Sequence, residues 1–294
     1  MEMAVYHLPG LFEFYDFYRK FLPIYREKTE YFYDWCQIGS LYGAPADCLW
    51  AGGRVSTGNV NSRQVLTLTE EYDLSARLTF SNSLLCPEHL KDPKCNRLCA
   101  LFGAKPGNGV IVHSELLLDY LKEKYPNFYF VSSTTKVLTD FEDLAAETER
   151  PDFRYVVPDF RLNKAFDRLA GLKEKRKVEF LCNECCWPGC RERKKCYENV
   201  SRKNLGERCP DHICAAPEGE KGYRFSAVMK NPAFIGIRDI RETYLPMGFS
   251  QFKIEGRGLG SAMLLEFILY YLTKPEYQLP LREEMYLDSM LDLF

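Results

Sequence analysis

Seven of the chain's twelve cysteines fall in one short stretch, Cys182-Asn-Glu-Cys185-Cys186-Trp-Pro-Gly-Cys190, followed by Cys196, Cys209 and Cys214. An ordinary core does not call for thiols at that density, which implies disulfides or a metal. Thiolates are soft ligands that suit zinc, copper(I) and iron–sulfur clusters. Cys186-x3-Cys190 and Cys209-x4-Cys214 are two short-spaced pairs separated by enough chain for a loop to return, so these four are the expected ligands. Structural zinc sites use such pairs and iron–sulfur sites use four cysteines with looser spacing, so the spacing leaves both metals open. Cys196 is the leading reserve. Cys185 is a weaker one because adjacent side chains diverge. Cys182, at the end of a strand, is expected to point into the site. The radical S-adenosylmethionine signature Cys-x3-Cys-x2-Cys is not met.

Charge near these thiols reads two ways. Arg191, Arg193, Lys194 and Lys195 follow Cys190, with Arg202 and Lys203 beyond. They suit a negatively charged cluster or a phosphate, or form a solvated basic loop. A second set, Cys48, Cys86, Cys95 and Cys99, is a candidate second metal site or a group of buried structural thiols. With only four histidines, a His-rich catalytic metal site is not expected. His212, between Cys209 and Cys214, offers a replacement for one thiolate.

The compartment decides between disulfides and metal. The N-terminus, Met1-Glu-Met-Ala-Val-Tyr-His, lacks a basic segment followed by an apolar run, so no signal peptide is expected. The apolar run Ala262 to Leu272 is too short for a membrane span and carries Glu266. The expectation is a cytoplasmic protein with reduced cysteines, hence a metal, and a chance Asn199-Val-Ser sequon. A net charge of −2 excludes a global polycation. An apolar content of 46% over 294 residues is ample for a large core.

The elements that must position these residues read as strands alternating with helices. The strand-like runs are Gln37 to Tyr42, Arg77 to Ser81, Gly109 to His113, Asn127 to Ser132, Arg154 to Pro158, Lys177 to Cys182, Ala233 to Ile237 and Gln251 to Glu255. Helices follow at Ser114 to Tyr125, Phe141 to Glu147, Asn163 to Leu172, Arg238 to Tyr244 and Gly260 to Leu272. Leu8 to Tyr25 reads as an aromatic helix closing the barrel or forming an interface. Eight strands interleaved with helices, with no Gly-x-Gly-x-x-Gly turn, predict an α/β fold: a single (β/α)8 TIM-type barrel over residues 1–294. The cysteine-rich stretch 182–214 is then a metal-binding insertion after strand six, at the barrel's C-terminal face.

That face is where barrel enzymes keep their chemistry. Glu255 and Arg257 end strand eight and His113 ends strand three, which makes them the candidate catalytic residues. Lys253 shares the face of Glu255 by the period of two, a pairing that tunes a carboxylate or simply holds the strand. Asn82, Asp159, Asn183 and Glu184 also follow strands. No Gly-x-Ser-x-Gly, His-Glu-x-x-His or phosphate-loop pattern is present.

Phe252-Lys-Ile-Glu-Gly-Arg257, followed by a small-residue turn and the helix to Tyr271, resembles the signature segment of the collagenase-like "unclassified peptidase" family. Members also carry a cysteine group after a late barrel strand, so the likeness covers about Val178 to Leu272. It implies a [4Fe–4S] cluster on four cysteines, oxygen-independent hydroxylation of RNA or a small molecule such as a quinone precursor, and an electron-transfer partner. A zinc- or cluster-stapled binding protein and a peptidase are the alternatives. In place of the family's Ser-Gly-Arg step, Cys-Trp-Pro-Gly-Cys-Arg stands here, which marks a divergent branch. The sequence does not fix the oligomeric state.

Overall fold

The computed structural model of the chain describes residues 2–52, 60–217, 219 and 224–291. Eight parallel strands form one sheet: β1 (Ala4–Pro9), β2 (Cys36–Gly43), β3 (Ser75–Phe80), β4 (Gly109–Val112), β5 (Tyr129–Ser132), β6 (Phe153–Val156), β7 (Glu179–Leu181) and β8 (Gln251–Lys253). Their order is β6-β5-β4-β3-β2-β1-β8-β7, and a parallel bridge from Val156 to Val178 brings the two edges together. The result is an α/β barrel of the TIM type, nearly closed, with no long exposed edge.

The helices are α1 (Tyr15–Glu27), α2 (Ser62–Glu71), α3 (Pro93–Phe102), α4 (Glu115–Lys124), α5 (Phe141–Glu149), α6 (Phe166–Ala170), α7 (Arg193–Asn204), α8 (Phe225–Val228), α9 (Ile237–Asp239, running into a π-helical turn Ile240–Tyr244), α10 (Ser261–Tyr271) and α11 (Gln278–Leu291). Ser114 caps α4 by accepting the Leu117 N–H, as its sequence position predicts. None of the described helices is long and apolar enough to cross a membrane.

The expected strand count holds, but two strands are placed differently. Val5-Tyr6-His7-Leu8 forms a strand, so the segment read as one aromatic helix from Leu8 splits into the end of β1 and then α1. Phe17, Tyr18, Phe21 and Leu22 bury α1 against the main core, and Tyr18 Oη donates to the Pro9 carbonyl at 2.5 Å. Ala233 to Ile237, expected as the seventh strand, is a partly buried loop that runs into α9, and its Ile235 N–H donates to the Cys182 carbonyl at 3.0 Å. The cysteine segment therefore follows β7 and not a sixth strand. The helix expected over Asn163 to Leu172 is confined to α6.

Two cores result. The large one lies between the strands' outer faces and the helices; a small one of Tyr42, Ile111, Val131, Val157 and Leu181 fills the lumen. After β7 the chain turns and α7 lies against the loops beyond β2 and β3. Asn82 Nδ2 donates to the Ser201 carbonyl at 3.1 Å, the Ser83 N–H to Ser201 Oγ at 3.1 Å, and Asn204 Nδ2 to the Ala51 carbonyl at 2.6 Å. Those loops all leave carboxyl ends of strands, so α7 roofs part of that end.

Candidate active site at the barrel mouth

Strands buried on both faces read as apolar runs, yet three here carry polar residues at alternate positions, Leu181 excepted: Arg77-x-Thr79-x-Ser81, Glu179-x-Leu181-x-Asn183 and Gln251-x-Lys253-x-Glu255. The period of two sends each set into the lumen. Arg77 on β3 and Glu179 on β7 are separated in the sheet by β2, β1 and β8, so their contact, Nη1 to Oε2 at 2.5 Å, spans the barrel's interior. Lys253 Nζ donates to the other oxygen of Glu179 at 3.1 Å. Its partner is thus Glu179, not Glu255 as the shared face suggested. His7 Nε2 lies 3.0 Å from Gln251 Oε1 and Nδ1 lies 2.8 Å from Ser40 Oγ. A neutral ring satisfies both contacts, donating from Nε2 and accepting the Ser40 hydroxyl at Nδ1.

All four charged or titratable members of this network are almost fully buried. Burial alone would raise the Glu179 pKa, but Arg77, Lys253 and His7 outweigh it and hold the carboxylate below its usual range. Burial, reinforced by Arg77, lowers His7 to about 3. Burial and the Arg77 charge bring Lys253 down to about 8 even though Glu179 opposes them. The ammonium sits 3.9 Å from the centre of the Tyr42 ring.

Above this network, at the carboxyl ends of the strands, a pocket of about 500 Å³, its open side included, is lined by Tyr42, Thr79, Ser81, Lys253, Glu255 and Arg257 together with Glu184, Tyr197 and the Ser133–Thr135 turn. Thr79 Oγ1 and Ser81 Oγ, 3% and 1% exposed by residue, have no hydrogen-bond partner among the described residues, and neither does Thr134 Oγ1. A buried hydroxyl without a partner costs about 1–3 kcal/mol. All three line the pocket.

Local pairing fixes the rim. Register carries Leu181 opposite Lys253, so two residues later Asn183 meets Glu255. Asn183 Nδ2 donates to the Glu255 carbonyl at 3.0 Å, and the Glu255 N–H donates to Asn183 Oδ1 at 2.7 Å. This side chain extends the β7–β8 ladder where its backbone has already turned away. Glu184 accepts Arg193 Nη2 at 2.6 Å and the Cys186 N–H at 3.0 Å. Arg193 is itself buried, close to Asp159 at 3.5 Å and over the Phe160 ring. Of the expected catalytic residues, Glu255 and Arg257 line the pocket. His113 does not; it bonds Thr135 Oγ1 at 2.8 Å, and burial with Lys136 nearby lowers it to about 4.

The fold distributes the cysteines widely. Cys182 is fully buried on the outer face of the barrel, where burial raises its pKa, and so does not point into the mouth. Cys186 and Cys190 lie on the turn leaving β7, whereas Cys209 and Cys214 come after α7. At about 1.5 Å per residue this helix of 12 residues spans about 18 Å. Cys209 Sγ lies 3.6 Å from Asn199 Nδ2, Cys214 is exposed, and Cys196 sits on α7 itself. Among the described residues the one group of three or more His, Cys, Asp or Glu ligand atoms within 4.8 Å of one another is Glu184, Cys185 and Glu255. None of Cys186, Cys190, Cys209 and Cys214 belongs to that group, whose spacing is that of a single ion. In the second set, Cys48 and Cys95 approach to 3.2 Å and Cys86 lies 3.1 Å from His89 Nδ1, a pair and a pair rather than a foursome.

The alternation of polar residues on three strands was the signal for Arg77, Thr79, Ser81 and Glu179. Nothing local marks the Ser133–Thr135 turn or Tyr197, which reach the pocket only through the fold.

No protein-family model matches this chain, and no curated protein matches it. The fold and the mouth define a TIM-type barrel with a polar pocket at its carboxyl end. A solved structure described as "The Structure of the U32 Peptidase Mk0906" is similar, with a TM-score of 0.54 and 13% sequence identity, over 86% of this chain and 92% of that one. At that identity the likeness is one of fold, in agreement with the barrel drawn from the sequence.

Proposed function

We propose that the barrel mouth is the active site of an enzyme acting on a small, oxygen-rich anionic substrate. The observation that carries this reading is the buried wall of unpartnered hydroxyls, Thr79 and Ser81, facing the cationic Lys253 and Arg257 in one pocket. Hydroxyls donate to carboxylate or phosphate oxygens, and the two cations balance their charge. Tyr42, stacked near both cations, supplies an apolar wall. Lys253, held near 8, is suited to give or take a proton close to neutrality. Glu179, fixed by Arg77, positions that amine from below.

A thermal-shift survey of small carboxylates, hydroxy acids, phosphates and neutral polyols tests the reading. An anionic class should raise Tm, and Thr79→Val with Ser81→Ala should abolish that rise. No response from any class, or an equal rise in the variant, would sink it.

A second reading is an iron–sulfur protein in redox or hydroxylation chemistry on RNA or a small molecule. The density of thiols between Cys182 and Cys214 supports it, together with the likeness of Lys253-Ile-Glu-Gly-Arg257 to the collagenase-like family. Anaerobic purification with metal analysis separates the two. About four irons per chain with broad visible absorbance would favour the cluster. A peptidase reading rests on the name of the similar structure, and a survey of peptide substrates tests it.

A further inference from the structure

We propose that Glu184, Cys185 and Glu255 form a site for one divalent cation of the zinc class, open on the side of the pocket. The inference rests on the reading of the mouth as a substrate site and adds to it a Lewis acid. The three donors lie within 4.8 Å of one another, one buried, one half-buried and one exposed. Their convergence follows from the strand register. β7 and β8 run parallel and in step, the pairing of the Asn183 side chain with the Glu255 backbone holds their ends together, and the next two residues after Asn183 are Glu184 and Cys185.

The donor chemistry selects the ion. A thiolate with two carboxylates is unsuited to magnesium or calcium, which take oxygen alone, and suits zinc or cobalt(II). Bond lengths of about 2.3 Å to sulfur and about 2.1 Å to oxygen require the donors to close by about an ångström, which the exposed Cys185 turn allows. Glu184 is already oriented from outside by Arg193 and the Cys186 N–H, the kind of support that metal-binding carboxylates receive. Three negative ligands and a dication leave one net negative charge, which Arg193 and the pocket's Arg257 offset. Three protein ligands leave a fourth position, as catalytic zinc sites do. The independent sign of a ligand here is the pair of nine-tenths-buried, unpartnered hydroxyls of Thr79 and Ser81, which line the same pocket as Glu184 and Glu255.

The test is a cobalt(II) titration of the full chain after chelation, with no substrate present. One cobalt per chain should bind with a thiolate-to-cobalt charge-transfer band that zinc abolishes. Cys185→Ser should remove the band and Glu255→Gln should weaken binding at least about tenfold, while Cys186→Ser, one residue along, should keep both. Near-ultraviolet circular dichroism checks that each variant is folded. Absence of the band in the wild type, or its survival in Cys185→Ser with loss in Cys186→Ser, overturns the site. A chain that binds small anions but no cobalt loses this inference and keeps the substrate-site reading. One that binds cobalt but no anion does the reverse.

Discussion

Replacing Glu179 with Gln is the most informative perturbation of the lumen. The change keeps the volume and removes the charge that faces Arg77 at 2.5 Å and Lys253 at 3.1 Å. Arg77 cannot shed its proton, so it becomes a buried cation with no anion beside it, among Tyr129, Tyr155 and the His7 ring. Lys253 can shed its proton and, without Glu179 to hold its pKa up, does so at neutral pH, which limits the penalty to one uncompensated charge. Breaking a buried pair in this way costs about 3–5 kcal/mol. With an unfolding entropy of about 2.1 cal/mol/K per residue, a chain of 294 residues converts that loss to a fall in Tm of about 5–8 °C. Urea denaturation gives the same quantity in free energy. Arg77→Met alone leaves Glu179 with Lys253, and the double variant should be no worse than Glu179→Gln alone, a coupling of about 1–3 kcal/mol. A Glu179→Gln chain within about 1 kcal/mol of wild type, or strict additivity in the cycle, would refute the account of the lumen as an obligatory charge network.

Acidification should destabilise the protein early. His7 and His113 are lowered to about 3 and about 4, so from about pH 6.5 downward the unfolded chain binds protons that the folded one refuses. Stability therefore falls as pH drops through this window, with a slope approaching about 2.7 kcal/mol per pH unit for two groups. Glu179, whose carboxylate is held low, acts in the same sense further down, its contribution present above about pH 4.3 and lost on acidification. Urea midpoints at pH 7.5, 6 and 5 check this, and His113→Asn should flatten the slope by about half. A flat profile would contradict both assignments. Asn183→Ala should cost about 1–3 kcal/mol by leaving the Glu255 N–H and carbonyl without their partner. Amide exchange at Glu255 should quicken accordingly, and unchanged protection there would show that the strand ends are held by something else.

The fold was legible because its signal is repetitive. Short β-branched runs alternating with amphipathic helices led to a barrel even though individual strands were misplaced. Ala233 to Ile237 has the composition of a strand, but an apolar run of that length also suits a buried loop, and only pairing across the fold distinguishes them. Val5 to Leu8 was masked by the aromatic segment that follows. At the site, Glu255 and Arg257 were legible from their place beyond a strand end. The cysteine spacing does not display what lies between the pairs: residues 193–204 are rich in Lys and Arg and form a helix. Glu184 was noticed only as a strand-end residue. Its role depends on Arg193 and on the β7–β8 register, neither of which local sequence displays.

The reading of the mouth is tested most directly by calorimetric titration of a bound small anion between pH 6 and 10, in the wild type and in Lys253→Met. Affinity should fall as pH rises through about 8, where Lys253 loses its charge, and Lys253→Met should bind weakly at every pH. Affinity independent of pH over that range, or unchanged in Lys253→Met, would show that the anion sits elsewhere and that the barrel mouth is not its site.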